Sequence, residues 1–305
     1  MFFVYISELL LCVAVSLRDI IPGMIKNAVS IGEKWLGYKA TEKEHFFTVH
    51  SVFNRVINIS LGDQMLSVAA SGMGGSSLFL SLPGDSLDFA VSAGEACVLH
   101  AGRLVMDKNT INFIDAPLWK GPITRKYRQK TVKKENIEAF KAVLDRKAAP
   151  KSAWRSLNSD SDTRFHGLKA VTKLREDPSL ARNMIGLGMG LTPAGDDMIL
   201  GFLAMVNHCC PDRQCSPDRQ LGRNRDFVKL LHSVVSDSLQ NTTDISKIML
   251  ATALDYDYHE LVQNCIRDLC EGEKENVYIS AASLLNIGAT SGSDIACGMY
   301  FGMAH

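Results

Sequence analysis

"RKYRQKTVKKENIEAFKAVLDRK", Arg125–Lys147, changes character half-way along its length. It begins as a basic, turn-like run and ends as a helix whose Ile137, Phe140, Val143 and Leu144 share one face. The sequence to either side differs in kind, so this stretch divides the chain. The composition shift places a junction near residues 117–134.

Upstream, from about Phe46 to Ile114, short apolar or alternating runs are broken by Gly, Pro, Asp and Asn. "SVFNRVINIS", "QMLSVAAS", "SSLFLSLP", "EACVLH" and "TINFIDA" are rich in β-branched and aromatic residues, which predicts strands of antiparallel character. Downstream, apolar residues recur at helical spacing in "FHGLKAVTKLRED", "MILGFLAMVNH", "FVKLLHSVVSDSL", "ISKIMLATALDY", "YHELVQNCIRDLC" and "NVYISAASLLNI". The expected fold class is α+β, a strand-rich N-terminal domain followed by a mainly helical C-terminal domain. The expected divisions are an N-terminal segment 1–45 of no assigned role, a strand-rich domain 46–120, a basic junction 121–134 and a helical domain 135–305.

The chain of 305 residues carries 33 Lys and Arg against 33 Asp and Glu. No global field favours nucleic acid or an anionic membrane, so a small anionic substrate or another protein is the expected partner. Eight cysteines follow no disulfide framework and are read as thiols of a cytoplasmic protein. "MFFVYISELLLCVAVSL" at the start is apolar, but it lacks a basic leader, is interrupted by Glu8 and ends at Arg18-Asp19. It is read as a buried segment rather than a cleaved signal or a membrane span.

Within the helical half stands "MIGLGMGLTPAGDDMILGFL", Met184–Leu203. Its glycines allow close convergence of backbone N–H groups, and Thr192-Pro193 suits the start of a helix, so the turn reads as an anion site. Asp196 and Asp197 would repel a bare anion there. Either one of them caps the helix, or the pair holds Mg²⁺ or an amine-bearing substrate, which makes Asp196 and Asp197 candidate Mg²⁺ ligands. Gly201, one turn after Asp197, is placed to let a neighbouring helix approach.

The pattern returns in "IGATSGSDIACGMYFG", residues 287–302, where Gly292-x-Asp294-x-x-x-Gly298 repeats Gly195-x-Asp197-x-x-x-Gly201. Two helix starts facing one pocket would explain the repetition. Asp197 and Asp294 are the candidate catalytic acids. Gly188, Gly190, Thr192, Gly195, Asp196, Thr290, Ser291 and Gly292 are the candidate ligand-binding residues. His50, in "TVHSVF", is the candidate for acid–base work, against the plainer reading of a hydrogen-bonded structural histidine.

Other features have plainer readings. "SGMGGSSLFL", Ser71–Leu80, reads as a strand-to-strand turn, against the alternative of a phosphate cradle made by its backbone N–H groups, and "SLQNTTDIS", Ser238–Ser246, as a helix cap that becomes a set of ligand donors if it faces the glycine turn. "PDRQ" at Pro211–Gln214 and again at Pro217–Gln220 reads as an exposed loop. His208, Cys209, Cys210 and Cys215 match no common zinc spacing. Arg125, Lys126 and Arg128 read as a solvated linker that could also reach an anion. No Walker lysine, dinucleotide fingerprint or Ser-His-Asp order is present.

The signature "GLGMGLTPAGDD", the stretch "VHSVFNRVINI" at Val49–Ile59 and the terminal "TSGSDIACG" resemble the family of the oxamate carbamoyltransferase subunit AllH. The resemblance runs from about His50 onward and implies carbamoyl transfer between oxamate and phosphate, within purine and allantoin degradation. It implies a multi-subunit assembly with FdrA-like partners, and it brings no catalytic residue assignment. The rival expectations are a non-catalytic subunit organising an FdrA-like partner and a small-metabolite-binding protein.

Overall fold

The computed structural model describes residues 24–121, 131–158, 163–208 and 217–303. The apolar start, the basic residues Arg125, Lys126 and Arg128, the first "PDRQ" and the neighbouring Cys209, Cys210 and Cys215 lie outside the described residues. The chain divides into two compact units. One takes in the chain up to Gly62, with Leu66–Gly72 and Leu78–Leu118; the other takes in Asp63–Met65, Met73–Ser77 and Trp119–His305. The expected strand-rich then helical order is what the structure has.

The first unit is built on strands β1 (Ile25–Asn27), β2 (Ser30–Ile31), β3 (His45–Val52), β4 (Val56–Leu61), β5 (Gln64–Ala70), β6 (Phe79–Leu82), β7 (Ala96–His100), β8 (Arg103–Met106) and β9 (Asn109–Asn112). They form a sheet in the order β1-β9-β8-β7-β3-β4-β5-β6-β2. Alternation decides which face is inside: on β3, Phe47, Val49 and Ser51 are buried while Phe46 and Val52 are exposed. Trp35 fills the interior, edge-on to Phe113 at 5.5 Å, with its indole N–H donated to the carbonyl of Leu78.

Strands begin at Ile25, well before the run that the spacing from Phe46 picks out. β1 and β2 stand at opposite ends of the sheet order, yet only Ala28 and Val29 separate them. The N–H of Ala28 donates to Asn112 and that of Val29 to Ser81, so one stretch of chain bridges both edges of the curled sheet. Strands too short to show alternation carry little periodic signal, which is why the spacing passes over them.

The turn expected at Ser71–Leu80 is something else. β5 and β6 are parallel neighbours, with Ser67 opposite Phe79 and Ala70 opposite Leu82, so a tight hairpin cannot join them. The intervening Met73–Ser77 belongs to the second unit. There the N–H of Gly75 donates to Glu260, the Ser77 hydroxyl to Asp257, and the Trp119 indole N–H to Glu260.

The second unit consists of α1 (Lys134–Lys147), α2 (Ala153–Leu157), α3 (Ala194–His208), α4 (Pro217–Ser238), α5 (Asp244–Leu254), α6 (Glu260–Glu271), α7 (Lys274–Leu284) and α8 (Ser291–Met303). On α1 the face carrying Phe140, Val143 and Leu144 is buried, as its spacing predicts. α3 is buried along its whole length from Gly195 onward, the condition of a helix that neighbours surround. The stretch Thr163–Lys173 is a 3₁₀ helix and not an α-helix. Its buried Leu168 and Val171, continued by Leu174, recur every third residue, the period of the tighter helix. The second "PDRQ" is no loop; it opens α4, where Pro217 occupies a first-turn position that needs no N–H. No helix among the described residues is long and apolar enough to cross a membrane.

Candidate functional site

The two Gly-Asp motifs start α3 and α8, and these helices pack directly on each other. Gly201 of α3 lies on the backbone carbonyl of Ile295, and Gly298 of α8 lies on that of Met198. A methyl group at either position would overlap the opposing carbonyl oxygen. The contacts are reciprocal, because each glycine meets the residue that follows the other motif's aspartate. The first glycines are equally confined, Gly195 against the carbonyl of Met184 and Gly292 against that of Leu284. All four therefore allow close backbone packing, and the N–H groups of Gly195 and Gly292 go to the carbonyls of Leu187 and Ile287.

This crossing brings the helix starts together. The hydroxyls of Thr192, just before α3, and Ser291, at the start of α8, lie 2.8 Å apart. Both hydroxyls favour the charged form of the Asp197 carboxyl against which they lie. Asp197 is 2% exposed, yet its Oδ2 has no hydrogen-bond partner among the described residues. Burial pushes its pKa well above the usual carboxylate range, and the negative charge of Asp294 pushes it further.

Asp294 is 1% exposed, and burial raises it to about 6. Its Oδ1 accepts from the N–H of Ala153 at 2.6 Å, while Thr290 also bonds it. Asp294 thus satisfies the first N–H of α2, and Ser293 beside it accepts from the N–H of Ala149 at 2.9 Å. These partners are about half the chain away in sequence, so no local spacing announces them.

Asp196 is spent on the fold. One oxygen accepts from the N–H of Gly186 at 2.7 Å and the other from the Thr242 hydroxyl. Burial raises its pKa, and these bonds oppose the rise. Both oxygens of this candidate Mg²⁺ ligand are therefore engaged by protein donors. Among the described residues no group of three or more His, Cys, Asp or Glu side chains gathers as a metal ion needs.

The turn before α5 does face the glycine turn. The carbonyl of Asn241 abuts Gly186, and the Thr243 hydroxyl donates to the carbonyl of Leu191 at 2.6 Å while capping α5 at Ser246. Its hydroxyls are used on the turn rather than on a ligand. Held in this way, Gly186, Gly188 and Gly190 all take positive φ, at 79°, 133° and 93°. The N–H groups of Gly188, Met189, Gly190 and Leu191 donate to no acceptor among the described residues. Met189 at the tip is 94% exposed.

His50 belongs to the first unit, on β3, where its Nδ1 lies 3.2 Å from the Ser51 hydroxyl. Ser51 continues into a row of buried polar groups, taking a hydrogen bond from Asn58, which accepts one from Ser67.

The second unit therefore holds a glycine turn, tied down at Gly186 and Leu191, with unused N–H donors beside a buried acid with an unused acceptor. Residues 184–303 match the family model of the oxamate carbamoyltransferase subunit AllH. That span takes in the glycine turn, α3 and α8 with both Gly-Asp motifs, whereas Val49–Ile59 lies outside it. No solved structure matches the chain.

Proposed function

We propose that the chain is a subunit of a carbamoyltransferase, or of a related acyltransferase, that acts between phosphate and a small amide or carboxylate such as oxamate. The similarity to AllH over residues 184–303 supports the reaction class. The observation that carries the reading is the pairing of exposed N–H groups that no protein acceptor occupies with a buried acceptor that no donor reaches, among the described residues. The N–H groups of Gly188–Leu191 seek an anion, while the buried Asp197 Oδ2 seeks a donor.

In this reading the glycine turn and the positive ends of α3 and α8 hold phosphate or the substrate carboxylate. Asp197 accepts from the substrate nitrogen, and the Thr192 and Ser291 hydroxyls keep its carboxyl in place. For transfer from carbamoyl phosphate, the acceptor nitrogen forms a bond to the carbamoyl carbon, the carbon–oxygen bond to phosphate breaks, and the nitrogen loses one proton. Asp197 is the group beside that nitrogen, and the turn stabilises the departing phosphate. Asp294 acts on this chemistry through its charge, while Asp196 fixes the turn. No step is routed through Mg²⁺ or through His50.

The second reading is a non-catalytic subunit that organises an FdrA-like partner. The exposed Met189 and Leu191, at 94% and 42%, favour it, since the loop tip presents them outward. One assay separates the two: carbamoyl phosphate and oxamate are incubated with this chain, with its co-encoded partners, and with both. Turnover that needs the chain and is lost in Asp197→Asn supports the first reading. Turnover by the complex that survives this substitution supports the second.

A further inference from the structure

We propose that Asp197 Oδ2 is the specificity-determining atom by which this site accepts a carboxamide and refuses the carboxylate of the same shape. The proposal rests on the substrate-site reading above and adds to it the choice between two ligands that are nearly identical in volume.

The acceptor is alone and fully enclosed. Asp197 is 2% exposed, the neighbouring Thr192 and Ser291 hydroxyls are bonded to each other, and Oδ2 keeps no donor among the described residues. The nearest acids make matters worse for a second carboxylate. Asp294 and Asp196 both act on Asp197 as like charges, and both have their own oxygens occupied by protein donors. A ligand –NH₂ group supplies the missing donor without adding charge. A carboxylate in its place brings a further negative charge to the cluster and leaves Oδ2 unpaired. Sites that hydrogen-bond a substrate N–H or O–H reject the analogue lacking it far more strongly than apolar pockets reject a methylene.

Entry follows from the turn. Oδ2 is sealed from water in the empty protein, and Thr192, which borders it, is joined to a run in which a side chain on Gly190 would meet open space. The ligand reaches Oδ2 by displacing Gly190–Thr192, which exchanges the Thr243 bond to the Leu191 carbonyl and the Thr192–Ser291 pair for contacts to the ligand, while Gly186 stays pinned by Asp196.

Calorimetric titration of the full chain tests the proposal, with oxamate and oxalate as probes at matched pH on the alkaline side of neutrality, because a protonated Asp197 would itself donate to a carboxylate and only the ionised carboxyl is a pure acceptor. Oxamate should bind at least ~10-fold more tightly than oxalate. Asp197→Asn should lose that preference, because its amide offers a donor to the carboxylate. Asp196→Asn should keep it. If Asp197→Asn does not fold, wild-type protein decides alone, through N-methyloxamate against monomethyl oxalate, a pair that differs by N–H against O. Equal affinity within that pair, oxalate binding as tightly as oxamate, or an unchanged preference in a folded Asp197→Asn would each overturn the proposal and leave the substrate site standing. Binding of none of the four probes would sink both.

Discussion

Gly201 of α3 sits on the backbone carbonyl of Ile295 of α8, with no room between them for a methyl group. Gly298 makes the same contact with Met198 from the opposite side. The helix crossing that gathers Thr192, Asp197 and Ser291 therefore depends on two missing side chains. Gly201→Ala and Gly298→Ala should each destabilise the protein by about 3 kcal/mol or more, because backbone cannot move aside as a side-chain tip can. Denaturant unfolding measures this; a loss below about 1 kcal/mol for both would contradict the packing.

Asp196 should behave as a structural acid. Asp196→Ala leaves the Gly186 N–H and the Thr242 hydroxyl without an acceptor and should cost about 3 kcal/mol. Asp196→Asn should cost under about 1 kcal/mol, since the amide oxygen still serves Gly186 and a hydroxyl can accept as well as donate. Equal damage from the two variants, read from melting curves, would speak against this division of its bonds.

Asp294 links stability to pH with a sign opposite to that of a salt-bridged acid. Its carboxyl titrates near about 6 in the folded chain, above the unfolded value, so the folded state holds the extra proton between the two. Its contribution is fully present below the unfolded pKa and is lost as pH rises through about 6, with an order of magnitude of about 3 kcal/mol. Asp294→Asn should remove this part of the slope while keeping an acceptor for Ala153. Chemical denaturation of both proteins at pH 4.5 and pH 7 would show it as a smaller loss between the two pH values in the variant.

Cys97, Cys265 and Cys297 are buried thiols whose pKa burial raises, to about 12 for the first two. The nucleophile is the thiolate, so all three should resist iodoacetamide in the native protein and react once it is unfolded. Mass spectrometry of native and denatured samples distinguishes them; rapid native labelling of Cys265 would mean that the core around α6 opens.

Long periodic runs carried most of what the sequence discloses. α1 and α6 each bury the face their spacing marks, as with Val262, Cys265, Ile266 and Leu269 on α6, because burying one stripe is what makes a helix of that composition stable. The repeated Gly-x-Asp-x-x-x-Gly was legible as a repeat, and Gly201 as a point of close approach. The different duties of neighbouring aspartates were not. Asp196 and Asp197 lie about 100° apart around α3. Their partners, Thr242 from the turn before α5 and Ser291 from the start of α8, arrive through tertiary packing. The parallel pairing of β5 with β6 was hidden for a similar reason, since a glycine-rich connection reads alike whether it turns back or crosses over.

The bridging of both sheet edges by Ala28 and Val29 imposes an order on synthesis. Ile25 leaves the ribosome ahead of its partner Thr110, which follows 85 residues later (110 − 25). At about 5–20 residues per second, that wait is roughly 4–17 seconds. Throughout it the first strand has nothing to pair with, and the open edges of β3–β8 can recruit other chains. Translation that pauses before Asn112 would leave an aggregation-prone nascent chain, and release from that hazard comes only when β9 is made.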